Sequence, residues 1–570
     1  MTKEKKYIIY GIVAIMIVVI GTTLAYFAAK IVGDTKPISV TTANLRIIFN
    51  NGDGTITGTD LEPGGYDETK TFSIQNDSDR EYKYNIIIKD LVNTFVTEGY
   101  LVYKITNTSN NGGYSMTDFK DIPKSSSARD AVLAYSISIP AGVTQEYSIQ
   151  IKYLNDADAN QSEDMEKEVT GKLFITEGTE GPTPFMTAIL RDNPTISERT
   201  DFSVTNTATT TGTIYQTNKT EDGSTVYYYS GNTTNNWVKF GKYMSNGQVV
   251  GYKETADKAS YKIYNTLDQC ASATTYNVNC SYLWKSGDDI YWRIIRTNED
   301  GSIRMLYSGA SPDTSVGHIG VSSFNSIDND PLYVGYMYGT SGSLANNRTN
   351  TNSSTIKTAI DTWYQNNLLT IYDKYISKSA IYCNDRSVGN GTYNTGSTSF
   401  YYGTSERLGT YKPSYKCGAN TSNGLFESTQ AVEDKFSAST AGGGNGQLKY
   451  PIALMTADEV AFAGAVWIKF LSSPYAWYYT NSQGESITGG KLWWTLSPYS
   501  WYPWDDTYAD AGVMDVGGDP YSKTGNIGGD ARLLANDWVR PAISLSSCVK
   551  VFGTGTPDDP YEIEYDNSCN

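Results

Sequence analysis

Between residues 45 and 175 much of the chain alternates apolar and polar side chains in short runs cut by turn residues, a period that no helix can bury on one face. Leu45-Arg46-Ile47-Ile48-Phe49, Thr69-Lys70-Thr71-Phe72-Ser73-Ile74, Leu133-Ala134-Tyr135-Ser136-Ile137-Ser138-Ile139, Gln145-Glu146-Tyr147-Ser148-Ile149-Gln150-Ile151 and Gly171-Lys172-Leu173-Phe174-Ile175 read as strands. The run from Tyr82 to Ile88 alternates over its first half. Successive side chains of a strand point to opposite faces, so these runs need a sheet with one covered face. Several in succession predict an all-β sandwich over residues 34–178. Asn50-Asn51-Gly52-Asp53-Gly54 reads as a hairpin turn. The glutamate that an EF-hand loop needs at its twelfth position is missing there. The acidic run from Asp156 to Glu168 reads as a solvated loop.

At 570 residues the chain is too long for one ordinary domain. Hydrophobic residues make up 39%, enough for real cores, and charged residues only 19%. Forty-six tyrosines stand against 16 phenylalanines, and tyrosine suits half-buried strands and wet binding faces alike. The net charge of −16 repels phosphate backbones, so no nucleic-acid partner is expected.

Lys3, Lys5 and Lys6 precede an apolar run from Tyr7 to Ala29, closed by Lys30. The run is long enough to cross a bilayer, and the leading lysines favour an N-inside orientation. Residues 1–33 are read as a transmembrane signal anchor, with cleavage near Thr23–Ala29 as the alternative. The expected location is the cell surface, single-pass with the C-terminus outside, or secreted if the segment is cut. No LPxTG-like sorting signal or second hydrophobic span appears, so the membrane is met through the N-terminal helix alone.

One histidine occurs, His318, in a loop-like Val316-Gly317-His318-Ile319-Gly320. A His-ligated metal cluster is therefore excluded, and a Ser-His or Cys-His pair would have to use this residue. Its expected role is structural. Six cysteines occur without a CxxC, which argues against zinc knuckles and thioredoxin-type redox chemistry. Disulfides in an oxidising exterior are the better reading. The nearest-neighbour pairing, a guess among several connectivities, joins Cys270 with Cys280, Cys383 with Cys417, and Cys548 with Cys569.

Gly178-Thr179-Glu180-Gly181-Pro182-Thr183-Pro184 and the Thr-rich stretch 207–213 predict a linker over 179–214, with one short helix from Phe185 to Leu190. The remainder, 215–570, reads as a separate α+β domain. Asp289–Arg296 and Ser302–Tyr307 flank an Asp-Gly turn and predict a hairpin. Ile356, Ala359, Ile360, Trp363, Tyr364 and Leu368 lie at helical spacing within 354–369, and a second helix is expected over 456–470.

The start of the exterior region resembles the signal-to-strand region of camelysin-type fibre and matrix proteins of Gram-positive bacteria. The resemblance rests on the Ala-aromatic-Phe end of the apolar run, Ala43-Asn44-Leu45-Arg46-Ile47, Asp60-Leu61-Glu62-Pro63-Gly64-Gly65 and Phe72-Ser73-Ile74-Gln75-Asn76. It implies a jelly-roll-like sandwich exported by a dedicated signal peptidase. The rest of the chain differs, so fibre formation is not carried over.

Further on, five elements occur in order. They are Trp292-Arg293-Ile294-Ile295, Met455-Thr456-Ala457-Asp458-Glu459, Trp494-Thr495-Leu496-Ser497-Pro498, Val539-Arg540-Pro541-Ala542-Ile543-Ser544-Leu545 and the Gly553-Thr554-Gly555-Thr556 to Tyr561 tail. These resemble a widespread family of bacterial surface domains that is itself similar to C-type-lectin-like folds. That group includes formylglycine-generating enzymes and the variable proteins of diversity-generating retroelements. The expected fold class is thus multidomain: an N-terminal transmembrane helix, an all-β sandwich and a C-terminal α+β C-type-lectin-like domain. The resemblance carries no catalysis. Cys548 follows a predicted core strand and Cys569 lies one residue from the end, a terminal staple rather than a reactive pair, so no enzyme activity is expected.

Residues 499–537 are the candidate ligand-binding face, aromatic and polar with few aliphatics. The residues are Tyr499, Ser500, Trp501, Tyr502, Trp504, Asp505, Asp506, Tyr508, Asp510, Asp515, Asp519, Tyr521, Asn526 and Asp530. Tyr and Trp give rigid contact area, while Asp, Ser and Asn give adaptable hydrogen bonds. In retroelement variable proteins a region at this place carries the diversified residues. Tyr, Asn, Asp, Ser and Gly fit adenine-directed change of Asn codons; Trp501 and Trp504 fit less well and read as fixed scaffold. The carboxylates could instead hold calcium and a sugar, although nothing in their spacing demands it. No cofactor is otherwise expected. The chain is read as a cell-surface adhesin or receptor-like protein for an extracellular protein or glycan. The alternatives are a structural fibre subunit and a wall-acting hydrolase.

Overall fold

The computed structural model describes residues from 38 to 569, except 41–44, 51–52, 60, 98, 157–160, 179–180, 253–260, 274–277, 419–433, 440–443, 468, 470, 472–474, 506–507, 518–525 and 566–568. The apolar run expected to be a membrane anchor lies outside the described residues. Among those described, no helix is long and apolar enough to cross a membrane. The chain divides into two compact units at Gly181/Pro182, both rich in strands.

Among the described residues the first unit holds ten strands. In chain order they are β1 (Ile38–Val40), β2 (Leu45–Phe49), β3 (Thr55–Thr59), β4 (Tyr66–Asn76), β5 (Tyr82–Asn93), β6 (Leu101–Asn107), β7 (Lys120–Asp121), β8 (Ser125–Ile139), β9 (Thr144–Tyr153) and β10 (Glu168–Glu177). They form a six-stranded sheet in the order β1-β2-β4-β9-β6-β7 and a four-stranded sheet in the order β3-β10-β5-β8. One face of each sheet meets a shared core. Along β9 the side chains of Gln145, Tyr147, Ile149, Ile151 and Tyr153 point inward, and those between them outward. Ile86 and Ile88 of β5 and Leu173 and Ile175 of β10 come from the other sheet into the same cluster. Each such aliphatic side chain stabilises the fold by about 1.5–3 kcal/mol relative to exposure. The core also holds a polar knot: the Tyr84 hydroxyl lies 2.5 Å from Gln145 Oε1 and 2.7 Å from the Tyr147 hydroxyl.

The turn before Thr55 is not a hairpin. β2 pairs with β1 and β4, whereas β3 pairs with β10, so the turn carries the chain from one sheet to the other. Asp53 fixes its exit by accepting from the Thr55 amide at 3.1 Å and its hydroxyl at 2.5 Å, an Asx-type turn that a hairpin signal cannot be told from locally.

The main helices described in the second unit are α1 (Phe185–Asp192), α2 (Thr355–Asn367), α3 (Gly403–Gly409) and α4 (Ala457–Ala463). Its main strands are β11 (Thr195–Glu198), β12 (Thr213–Thr217), β13 (Val226–Tyr228), β14 (Trp237–Lys242), β15 (Asp289–Thr297), β16 (Ile303–Tyr307), β17 (Phe400–Tyr402) and β18 (Ile452–Leu454). They continue with β19 (Trp493–Asp505), β20 (Tyr508–Gly517), β21 (Asn526–Arg532), β22 (Pro541–Leu545), β23 (Lys550–Phe552) and β24 (Tyr561–Ile563). The largest sheet runs from the two-residue strand Thr183–Pro184 through β23-β24-β14-β15-β13-β12-β11, with β16 branching from β15 and leading through β22 to β18. β15 and β16 form the expected hairpin, where Asp300 accepts from the Ser302 amide at 2.9 Å.

The described part of 179–214 from Pro182 onward is not a free linker. Phe185, Ala188 and Ile189 of α1 are buried, at the three-and-four spacing of a helix face. β11 lies parallel to β12 in the large sheet. The Thr-rich segment is tied down by polar contacts instead of apolar ones: the Thr210 hydroxyl donates to the Ser230 carbonyl at 2.7 Å. Composition reads such a segment as solvated because the partners lie elsewhere in the chain.

α2 starts where the spacing predicts, with Ser354 accepting from the Lys357 amide at its N-terminus. α4 is shorter than expected. Thr456 and Glu459 form a reciprocal capping box at its start, and Gly464 ends it at a φ of 133°, open only to glycine.

Candidate functional site

Four of the five sequence elements of the C-terminal resemblance are built into this core, and of the fifth, the 553–561 tail, chiefly Tyr561 is. Trp292, Ile294 and Ile295 of β15, Met455, Trp494, Leu496, Ala542, Ile543 and Leu545 are all fully or nearly fully buried. The Leu496 amide donates to the Met455 carbonyl at 2.9 Å, and the Ala457 amide to the Ser497 hydroxyl at 3.0 Å. These motifs are framework, and they set where β19 emerges.

β19 leaves that framework along its length. Trp493, Trp494, Thr495 and Leu496 are fully buried, Tyr499 is half-buried, and Tyr502 is 44% exposed. β17 covers one edge, pairing Phe400 with Trp501 and Tyr401 with Ser500. The Tyr499 carbonyl accepts from the Ser405 hydroxyl at 2.7 Å, and its ring meets Tyr401 and Trp467 edge-on. On the other edge β20 pairs Tyr502 with Asp510 and Asp505 with Tyr508, and β21 continues the sheet with Asn526 opposite Gly517.

Three residues expected on the ligand face are therefore inside. Trp501 is 1% exposed, with its indole N–H donating to the Gly396 carbonyl at 3.1 Å; Ser500 and Asp515 are also buried. The stretch is not short of core residues either, since Val513, Met514, Val516, Ile527 and Leu533 all join the main cluster. Strand pairing decides this, and it places an apolar layer under β19 and β20 that composition averages away. Trp504, Asp505, Tyr508 and Asp510 fall by register at the hairpin end, and Asn526 and Asp530 on β21. Asp506, Asp519 and Tyr521 lie outside the described residues.

The three disulfides join Cys270 to Cys280, Cys383 to Cys417 and Cys548 to Cys569, the nearest-neighbour pairing. His318 is fully buried, and burial together with Arg540 pushes its pKa down to about 3. Among the described residues no group of three or more His, Cys, Asp or Glu is placed to hold a metal ion.

A charge-rich cavity of 310 Å³ was missed from sequence. Glu459 lies 3.2 Å from Arg296 Nε and 2.6 Å from Arg304 Nε. Arg407 reaches Asp385 at 2.6 Å and Asp458 at 2.8 Å. Burial lowers the pKa of Arg407, but the two carboxylates outweigh it and hold the guanidinium above its ordinary value. Both clusters cross from one element to another, so they clamp α3 and α4 to β15 and β16 and to the segment after Tyr382. Only the adjacent Asp458 and Glu459 hinted at them in sequence; their arginine partners are far away along the chain.

No family model and no curated protein matches the chain. Among solved structures it is similar, at 10% identity and a TM-score of 0.13, to one titled "AvmM Catalyzes Macrocyclization in Alchivemycin A Biosynthesis", over 23% of this chain and 92% of that one. A second, the "Crystal Structure of Class 5 Fimbriae Chaperone CfaA", is similar over 45% of this chain and 92% of that one, at 11% identity and a TM-score of 0.07. Scores this low define neither fold nor activity. The class of protein on view is a strand-rich, two-unit, disulfide-bonded chain.

Proposed function

We propose that this chain is an exported surface protein whose second unit is a C-type-lectin-like binding head and whose first unit is a jelly-roll-like spacer. The observation that carries the reading is the passage of β19 from Trp501, buried, to Tyr502, exposed, within one step of the strand. A strand that carries an exposed aromatic next to a buried one, with Asp510 opposite Tyr502 in register, is suited to presenting a contact surface. The three disulfides support an oxidising exterior. The ligand class is an extracellular protein or glycan. Diversification of this face by a retroelement is part of the proposal. A near-copy of its coding sequence in the adjacent DNA, differing mainly at adenines, supports that part, and its absence removes it. The binding reading is tested by probing glycan and surface-protein arrays with the whole chain and its Tyr502→Ala variant. A spot bound by the first and lost by the second supports it; equal binding by both at every spot contradicts it.

A further inference from the structure

We infer a second binding site in the second unit: a groove along α2 that takes a neutral oligosaccharide. The groove has a volume of 720 Å³, within the roughly 300–1,000 Å³ of small-molecule sites. Its lining contains no Asp, Glu, Lys, Arg or His, in a chain where 19% of residues are charged. Such a wall offers nothing to compensate a charged ligand or to hold a calcium ion.

The wall formed by α2 is unusual for a solvent-facing helix. Thr355, Thr358, Thr362 and Asn366 form its exposed stripe, while its ion pair, Lys357 with Asp361, is turned inward, with the Lys357 side chain only 2% exposed. Threonine is a weaker helix former than Ala, Glu or Lys by up to about 0.7 kcal/mol per position, so this stripe is poor choice for helix stability alone. The hydroxyls of Thr358 and Thr362 donate to the carbonyls of Ser354 and Thr358, at 3.0 and 2.8 Å, which leaves their oxygen lone pairs to accept from a ligand. Exposed amides at Asn366 and Gln248 supply donors. Sugar hydroxyls, each donor and acceptor, match this mixture.

The opposite wall is preformed. Asn367 Oδ1 accepts from the Met244 amide at 3.3 Å and so ties the loop to α2. The Trp284 indole N–H donates to the Ser245 carbonyl at 3.0 Å, and the Gly247 amide to the Trp284 carbonyl at 2.9 Å. A side chain at Gly247 would drive into the Trp284 ring, with a Cβ 2.6 Å from it, so the close approach requires glycine. Val321, 42% exposed, adds an apolar patch for the C–H face of a sugar ring.

The test is a titration of the whole chain with cellohexaose, maltohexaose, mannohexaose, chitohexaose and, as the charged counterpart, hexagalacturonate, read by calorimetry and saturation-transfer NMR. The expected result is binding of at least one neutral hexasaccharide with Kd below about 1 mM. Hexagalacturonate does not bind, and chelation of divalent ions has no effect. Thr358→Trp, which fills the groove, and Thr362→Glu, which charges it, each weaken binding at least about tenfold with unchanged melting temperature. Tyr502→Ala leaves this affinity unchanged, which separates the groove from the β19 face. Failure of every neutral hexasaccharide to bind overturns the inference, as does equal binding by both folded groove variants.

Discussion

The imidazole of His318 stacks on the indole of Trp538, with ring centroids 3.8 Å apart and planes 29° apart. The only histidine of the chain stays neutral there, because burial first and Arg540 second lower its pKa to about 3. In the unfolded chain that histidine binds a proton near its ordinary 6.5. The unfolded state therefore takes up about one more proton than the folded one as pH falls below that value. Stability supplied by neutral His318 is fully present above pH 6.5 and declines below it, with a slope of up to about 1.4 kcal/mol per pH unit. Denaturation of the chain and of His318→Gln from pH 7.5 to 5 checks this, and the variant loses that part of the slope.

Asp537 behaves with the opposite sign. Burial raises its pKa from 3.8 to about 6, and its Oδ2 has no hydrogen-bond partner. The folded state favours the protonated acid, so its contribution is fully present below pH 3.8 and lost as pH rises through about 6. Asp537→Asn is expected to raise the melting temperature at pH 7.5, with the gain vanishing below about pH 4. Differential scanning calorimetry at the two pH values reads it.

The Arg407 cluster gives a third expectation. Removing the guanidinium leaves Asp385 and Asp458 buried beside one another without a cation. Arg407→Met should cost about 3–5 kcal/mol in urea unfolding, against well under 1 kcal/mol for an exposed pair such as Lys242 with Asp289.

The Cys383–Cys417 bridge spans 34 residues and Cys270–Cys280 spans 10. Loop-closure entropy makes the longer bridge the stronger constraint, at about 3.8 against 2.7 kcal/mol. Paired Cys→Ser replacement at each site, followed by chemical denaturation, should rank them in that order.

The sandwich was largely legible in sequence because alternation is a local signal. The 145–151 run lies within β9, where its alternate residues Gln145, Tyr147, Ile149 and Ile151 face inward. The sheet crossing at Asp53 was not legible, since an Asx turn looks the same whether its strands pair with each other or with distant ones. For the same reason the 499–537 stretch reads as a ligand-binding face without its buried members Ser500 and Asp515 being set apart. Whether Trp501 or Tyr502 faces the core depends on β17 and β20, which lie outside any local window. The Arg296–Glu459–Arg304 cluster is assembled from separate elements, and a sequence pass has no means of joining them. The α2 groove shows the converse: helical spacing marks Ile356, Ile360, Trp363 and Tyr364 as one face, which is buried, but carries no signal for what the neutral exposed face adjoins.

The most direct measurement compares Trp501→Ala and Tyr502→Ala, two neighbours on β19, for stability and for array binding by the whole chain. Tyr502→Ala should melt with the parent chain yet lose its array ligand, while Trp501→Ala should be destabilised by about 3–5 kcal/mol. Retention of every array ligand by a folded Tyr502→Ala variant would contradict the account.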